Sequence, residues 1–183
     1  MVFLLQRFDK EFKFSFNNPH DITQAVTWST WGSSEVGPTA VLCTEHYRQK
    51  PGISSYVLQK AIGEHERQLG VLNRALEGRE YLAGPGKGQY SHSETNLFPF
   101  INSVGLRGTD IELTKWPNVK AWMERIRARP AVAKMREIPF TWDWDYDSMK
   151  KKMDDSQFAA QEEKLQGILR AAQEEYGYKY VAP

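Results

Sequence analysis

Apolar positions along this chain recur at steps of three and four and almost nowhere alternate strictly, which is the signature of helices rather than strands. The clearest stretch lies between residues 56 and 78, where Leu58, Ile62, His65, Leu69, Leu72 and Leu76 share one face. Ser54-Ser55, after Pro51-Gly52, supplies a cap ahead of it, and Gly78 stands near its end. Upstream, Asn17-Asn18-Pro19-His20-Asp21 is turn chemistry. It predicts Asp21 as the cap of a helix carrying Ile22, Ala25, Val26 and Ser29 on one side, with Trp28 and Trp31 further along. Gly37-Pro38 then predicts a break or sharp kink at residues 36–38, because proline lacks an amide proton and its ring meets the preceding turn. From Val41 to Tyr47 the pattern continues helical.

Further on, Gly84-Pro85-Gly86-Lys87-Gly88 reads as a connector. Ser91-His92-Ser93-Glu94 has the form of a capping box and opens a short helix through Leu97, Phe98, Phe100 and Ile101. Pro117 precedes another helix, with Val119, Trp122, Met123 and Ile126 on one face and Arg129-Pro130 closing it. A last amphipathic helix is predicted over roughly 156–176, with a stripe of Phe158, Leu165, Ile168, Leu169, Ala172 and Tyr176 and a stop at Gly177. Only Lys13-Phe14-Ser15-Phe16 looks strand-like. The reading is all-α, six or seven helices in one domain with an extra C-terminal tail helix.

The 24 Lys and Arg among 183 residues are balanced by 23 Asp and Glu, so the net charge of +1 gives no reason to expect nucleic acid or an anionic membrane as partner. No apolar run approaches the roughly 20 residues of a spanning helix, and no signal peptide is legible. The single cysteine, Cys43, rules out an internal disulfide and a multi-cysteine zinc site, no metal site is expected, and the location read is cytoplasmic. What stands out is the aromatic fraction, 13% with six Trp against a hydrophobic total of only 40%. Either a few large side chains build the core, here a set around Trp116 and Trp122, or some rings line a pocket, here Trp28 and Trp31. His65 lies on the apolar stripe and reads first as a core histidine, His46 as surface chemistry, and Lys150–Lys152 as a solvated run.

Several blocks in order resemble the C-terminal helical domain of cytosolic glutathione transferases, in the fungal and bacterial branch that includes the yeast nitrogen-regulator-like proteins. They are Leu4 to Glu11 with Phe14-Ser15-Phe16, Trp28 with Gly37-Pro38, Leu72-Asn73 through Leu76 to Gly84, Tyr90-Ser91, Leu97-Phe98-Pro99, and Trp116 to Trp122 with Glu124-Arg125-Ile126 and Ala128 to Val132. The resemblance implies that residues 1–16 are a remnant of an interdomain helix and linker, that 17–137 form the helical domain, and that 138–183 are a tail. It implies that the family's thioredoxin-like domain, which supplies most glutathione contacts, is lacking. Two smaller departures are Glu94 where the family usually has aspartate, with Thr95 rather than an aliphatic residue after it, and small residues in Gly32 to Glu35 where relatives are bulkier.

By the same resemblance Trp28, Trp31, Ser34, Glu35, Thr39 and Cys43 lie on or just after the helix that walls the electrophile pocket. Glu35, four residues after Trp31, is the candidate catalytic group, because a carboxylate beside an aromatic wall can move a proton or orient a polar substrate group, although a solvated helix-end charge reads equally well. Cys43 reads either as a reactive thiol or, more simply, as a small buried hydrophobe. Lys60 stands where relatives often carry an arginine that reaches the glutathione carboxylate, sometimes from a neighbouring subunit. The implied function is a glutathione-dependent transferase or cis–trans isomerase acting on a hydrophobic electrophile, such as a fungal specialised metabolite, with a homo-oligomer or a partner covering residues 2–16. The other reading is a non-catalytic interaction module of the same fold.

Overall fold

The computed structural model describes residues 2–110, 112–135, 137–138 and 143–177. Trp142, with the rest of 139–142, and residues 178–183 of the expected tail lie outside the described residues, as does Met1. Among the described residues the regular structure is helical: α1 (Val2–Phe8), α2 (Pro19–Trp31), α3 (Gly37–Thr44), α4 (Ser55–Ala75), α5 (His92–Asn102), α6 (Pro117–Arg127), α7 (Pro130–Met135), α8 (Tyr146–Lys152) and α9 (Ser156–Tyr176). The all-α reading therefore holds, with more and shorter segments than the six or seven expected. Residues 13–16 are not a strand. Asp9 instead gathers them into a tight loop, accepting from the backbone N–H of Lys13 at 2.8 Å and Phe14 at 2.9 Å and from Ser15 Oγ at 2.7 Å.

Two local expectations are corrected. Asn18, not Asp21, caps α2: its Oδ1 accepts from the Asp21 N–H at 2.9 Å, and Pro19 occupies the first helical position, where its missing N–H costs nothing. The helix thus starts earlier than the apolar pattern suggested, and Asp21 is buried within its first turn. The second correction concerns Gly37-Pro38, which does not break the chain. Residues Gly32–Val36 form one wide π turn, and the Gly37 N–H donates to Gly32 O five residues back. Widening the turn carries the backbone past the missing proline donor while the flanking residues keep right-handed helical dihedrals. A second π turn, Glu45–Gln49, follows α3 directly, so α2 and α3 belong to one long rod from Pro19 to Gln49. Gly37 has a packing role as well, since a Cβ there would stand 3.0 Å from the Phe100 ring.

The rod packs along α4, whose predicted stripe is buried in full: Leu58, Ile62, His65, Leu69, Leu72 and Leu76 are all closed to solvent. Burial of that face, more than intrinsic propensity, holds a helix of this length. Across α4, α5 and α6 complete the main core, in which Trp122 is fully buried and meets Phe98 edge-on at 6.2 Å, with Trp116 beside them. The capping box forms as predicted, and Glu94 accepts from the N–H of Ser91 at 2.9 Å and of Leu82 at 2.8 Å. Burial pushes the Glu94 carboxyl up, against these hydrogen bonds. Tyr90 and Thr95 meet where an apolar pair would staple the turn, joined hydroxyl to hydroxyl at 3.3 Å.

Helix α9 stops at Gly177, which adopts the left-handed conformation at φ 57°. It folds back on α4 and the Glu45–Gln49 turn to close a second core of Cys43, Tyr47, Leu58, Ile62, Leu165 and Leu169. Tyr176, expected on its apolar stripe, is exposed and stacks edge-on against Tyr56 at 5.5 Å. Lys152 departs from the solvated run expected for Lys150–Lys152, because its Nζ sits 3.9 Å over the Trp144 ring and 2.7 Å from Asp143.

Candidate functional site

The flank of α2 that faces α5 carries two depressions that meet at Val26 and His92. The first, about 280 Å³, is mostly apolar, with Leu5, Phe12, Phe16, Ile22 and Val26 at its sides and Asp9 and Lys10 at its edge. Burial tends to raise the Asp9 carboxyl, but its hydrogen bonds from Ser15, Phe14 and Lys13 hold it below the usual carboxylate range. The second, about 540 Å³, is lined by Ser29, Thr30, Ser33, Ser34 and Asn96 with Val26 and His92, and because several of their polar atoms pair with one another its open surface is also mostly apolar. Helical register explains the grouping, since positions 26, 29, 30 and 33 fall on one side of a 3.6-residue turn.

At the junction, Ser29 Oγ and His92 Nδ1 lie 2.8 Å apart. Burial pushes the His92 imidazole below its ordinary range, which favours the neutral ring, able to accept at one nitrogen and donate at the other. Asn96 Nδ2 donates to Ser29 O at 2.6 Å and to Ser33 Oγ at 2.9 Å, which fixes the amide of Asn96 against the α2 backbone. The arrangement is therefore two adjoining, mostly apolar hollows, the second edged by serine, threonine and asparagine side chains, with a neutral histidine paired to a serine where they join.

The residues singled out from sequence do not stand together. Ser34 alone lines these depressions. Trp28 and Trp31 are half-buried on the opposite flank of α2 and meet edge-on at 5.4 Å. Trp31 Nε1 donates to Glu35 at 3.2 Å, and Arg67 of α4 stands 3.5 Å from the same carboxylate oxygen, itself held by Glu64. Glu35 is thus an ion-paired carboxylate with its side chain 50% exposed, the solvated reading of that residue. Thr39 accepts from Gln68 at 3.1 Å between α3 and α4. Cys43 is fully buried in the second core, and burial pushes its thiol up to about 12, so the small-hydrophobe reading holds for it and the pocket-wall placement does not. Lys60 lies beside Tyr56, its Nζ 6.0 Å from the ring, and lines neither depression. Gly32, first of the small residues noted at Gly32 to Glu35, is buried, and a Cβ there would meet Leu97 at 3.2 Å.

His92, Ser29, Ser33 and Asn96 were missed. The capping box places His92 in the first turn of α5, but a cap motif by itself marks only a helix start and not what its first turn faces.

The family model for the glutathione S-transferase C-terminal domain matches residues 38–130. The chain belongs to this family. It is 29% identical over 130 residues to the disulfide-bond oxidoreductase YfcG of Escherichia coli, covering 70% of this chain and 57% of that protein. It is 26% identical over 138 residues to the glutathione S-transferase aclG of Aspergillus oryzae, covering 74% of this chain and 60% of that protein. Among solved structures, the glutathione transferase URE2P6 of Phanerochaete chrysosporium, in complex with oxidized glutathione, superposes with a TM-score of 0.66 at 22% identity over 74% of this chain and 61% of that one. The chain therefore spans about 60% of the length of these curated relatives.

Proposed function

We propose that this chain forms the electrophile side of a glutathione-dependent transferase or cis–trans isomerase that acts on a hydrophobic small molecule, a fungal specialised metabolite being the class in view. The observation that carries the reading is the pair of depressions joined at Val26 and His92. An apolar body fits the hollow at Leu5, Phe12, Phe16 and Ile22, and its polar reacting end reaches Ser29, Ser33 and Asn96. The relatives named as glutathione S-transferases support the same activity class. In either reaction a glutathione thiolate adds to an activated alkene. Loss of glutathione after bond rotation gives isomerisation, and its retention gives conjugation.

Hydroxyl and amide groups suit the peptide part of glutathione, and Lys10, whose Nζ donates to Gln6 O at 2.6 Å, is a cation at the edge of the first depression. A second carboxylate-binding cation then comes from elsewhere, and in this reading Lys60 acts from a neighbouring subunit or not at all. Thioredoxin-like contacts are supplied by a segment or partner that covers residues 2–16. Trp28, Trp31 and Glu35 frame the far flank of α2, and the domain limits 17–137 and 138–183 and the cytoplasmic location belong to the same proposal. Among the described residues no helix is long and apolar enough to cross a membrane.

One observation favours the other reading, a non-catalytic interaction module. Phe3, Leu4, Phe8, Phe12 and Phe14 are all substantially exposed around α1, more large apolar surface than an isolated enzyme surface usually carries in one place. Isothermal titration with millimolar glutathione, followed by turnover assays on conjugated enones, separates the two. Binding and turnover are expected, and the absence of both leaves only the interaction module.

A further inference from the structure

A third depression, sharing no lining residue with the two on α2, lies where α4 ends and the connector Gly84–Gly88 meets α6. It encloses about 230 Å³, and its charged lining is Arg79, Glu80, Lys87 and Arg125. Each of these is held in place by local structure. Arg79 donates through Nε to Tyr81 O at 3.1 Å, through Nη2 to Gly84 O at 2.9 Å and through Nη1 to Gly86 O at 3.3 Å, so the connector wraps its guanidinium. The N–H groups of Glu80 and Tyr81 both donate to Lys87 O, at 2.7 and 3.1 Å, which draws Lys87 back over the chain leaving α4. On α6, Asn118 is tied to Asn73 of α4, its N–H to Oδ1 and its Nδ2 to the carbonyl, both at 2.9 Å. Positions 118, 121 and 125 share one face of that helix, so the tie sets Arg125, two turns on, against the same hollow. Arg125 Nη2 donates to Glu80 O at 3.0 Å.

The charges around this hollow do not balance. Among the described residues neither Arg79 nor Arg125 is paired with a carboxylate: Arg79 meets three carbonyl oxygens and Arg125 one, and the buried Nε of Arg125 has no acceptor. Carbonyl dipoles hold a guanidinium in place without cancelling its charge, and the group does not lose its proton. Glu80, the carboxylate in the lining, is engaged by Lys87 at 3.2 Å. Three cations against one carboxylate leave an excess of two positive charges around one small hollow, in a chain whose net charge is only +1. Cations brought from three segments to one concavity focus their field on a counter-ion inside it.

We propose that this hollow binds the phosphate group of a small molecule, as the free ion or as a monoester. At neutral pH a phosphate monoester carries about 1.5 to 2 negative charges and three strong acceptor oxygens, which matches the excess of two cations. Guanidinium forks suit the spread of those oxygens, and Lys87 adds a point charge. The uncharged part of the lining, at Gly78 and Ala121, takes the carbon side of an ester, and a Cβ on Gly78 would meet nothing within 4 Å.

Isothermal titration of the full chain with sodium phosphate and, separately, with phenyl phosphate, at constant ionic strength, tests this. Saturable binding is expected, and the tighter of the two probes identifies the source as free ion or ester. Two variants at exposed side chains are expected to move the affinity in opposite directions. Lys87→Met removes a cation and weakens binding about fivefold, whereas Glu80→Gln removes the competing carboxylate and tightens it by a similar factor. These side chains are 73% and 45% exposed, so neither change disturbs the core. No saturable binding of either probe at tens of millimolar, or an affinity that both variants leave unchanged, overturns the proposal.

Discussion

His65 shows how one residue links sequence, packing and solution behaviour. Its place on the α4 stripe was readable from spacing alone, and the structure buries it completely, so burial pushes its imidazole well below the ordinary range with the Arg107 charge adding to the effect. The unfolded chain therefore takes up a proton that the folded chain refuses, and stability falls as pH drops below about 6.5. In denaturant titrations at pH 7 and pH 5, His65→Leu is expected to lessen the fall by up to about 1.4 kcal/mol per pH unit, and an unchanged slope would contradict the burial argument. Glu94 shows the other limit. Its cap was legible as a motif, but its second bond, to the Leu82 N–H at 2.8 Å, joins residues twelve apart and belongs to tertiary structure. Glu94→Ala leaves buried N–H groups unpaired and is expected to cost about 1–3 kcal/mol in the same titration, more than an exposed cap would. Glu35 was read from its spacing to Trp31, and that contact forms, but Arg67 of α4 joins it from across the bundle and makes it an ion pair, which no local pattern announces.

At the scale of elements, the apolar faces of α4, α6 and α9 were legible because burial imposes period 3.6 on them directly. The rod from Pro19 to Gln49 was not, because its continuity depends on two π turns, and a π turn has no signature distinct from the Gly-Pro that usually ends a helix. The first of those turns also rotates the face that follows it, which is one reason residues 28–43 do not gather at one pocket. The tail is legible as an amphipathic helix, and its stripe does bring Leu165 and Leu169 into the second core, but a polar contact also fixes it. Glu162 accepts from Tyr47 at 2.5 Å and from Arg48 at 2.8 Å, with the two ion-paired side chains only 10% and 7% exposed. Arg48 also stacks 4.8 Å over Trp144. Removing Glu162 strands Arg48 in a dry site, so Glu162→Ala is expected to destabilise the fold by about 3–5 kcal/mol, read by chemical denaturation. Faster proteolysis between α8 and α9 should accompany it, and intact protection would mean the helix docks through its apolar stripe alone.

For the whole molecule, the bundle was foreseeable as a family fold, whereas the candidate site had to be found in three dimensions. The first hollow draws on α1, the loop after it and α2, and the second on α2 and α5, so neither is contiguous in sequence. His92 and Ser29, 63 positions apart, are joined only by the packing of α2 on α5. If that junction is where glutathione and its electrophile meet, ligand must be felt there and not at the Trp28–Trp31 flank. The measurement that asks this most directly is a titration of the isotope-labelled chain with glutathione, followed by backbone amide chemical shifts. Saturable shifts at His92, Asn96 and Ser33 are expected, lost in a His92→Leu variant that retains the fold. Shifts confined to Trp31, Glu35 and Lys60, or none at all at millimolar glutathione, would contradict the account.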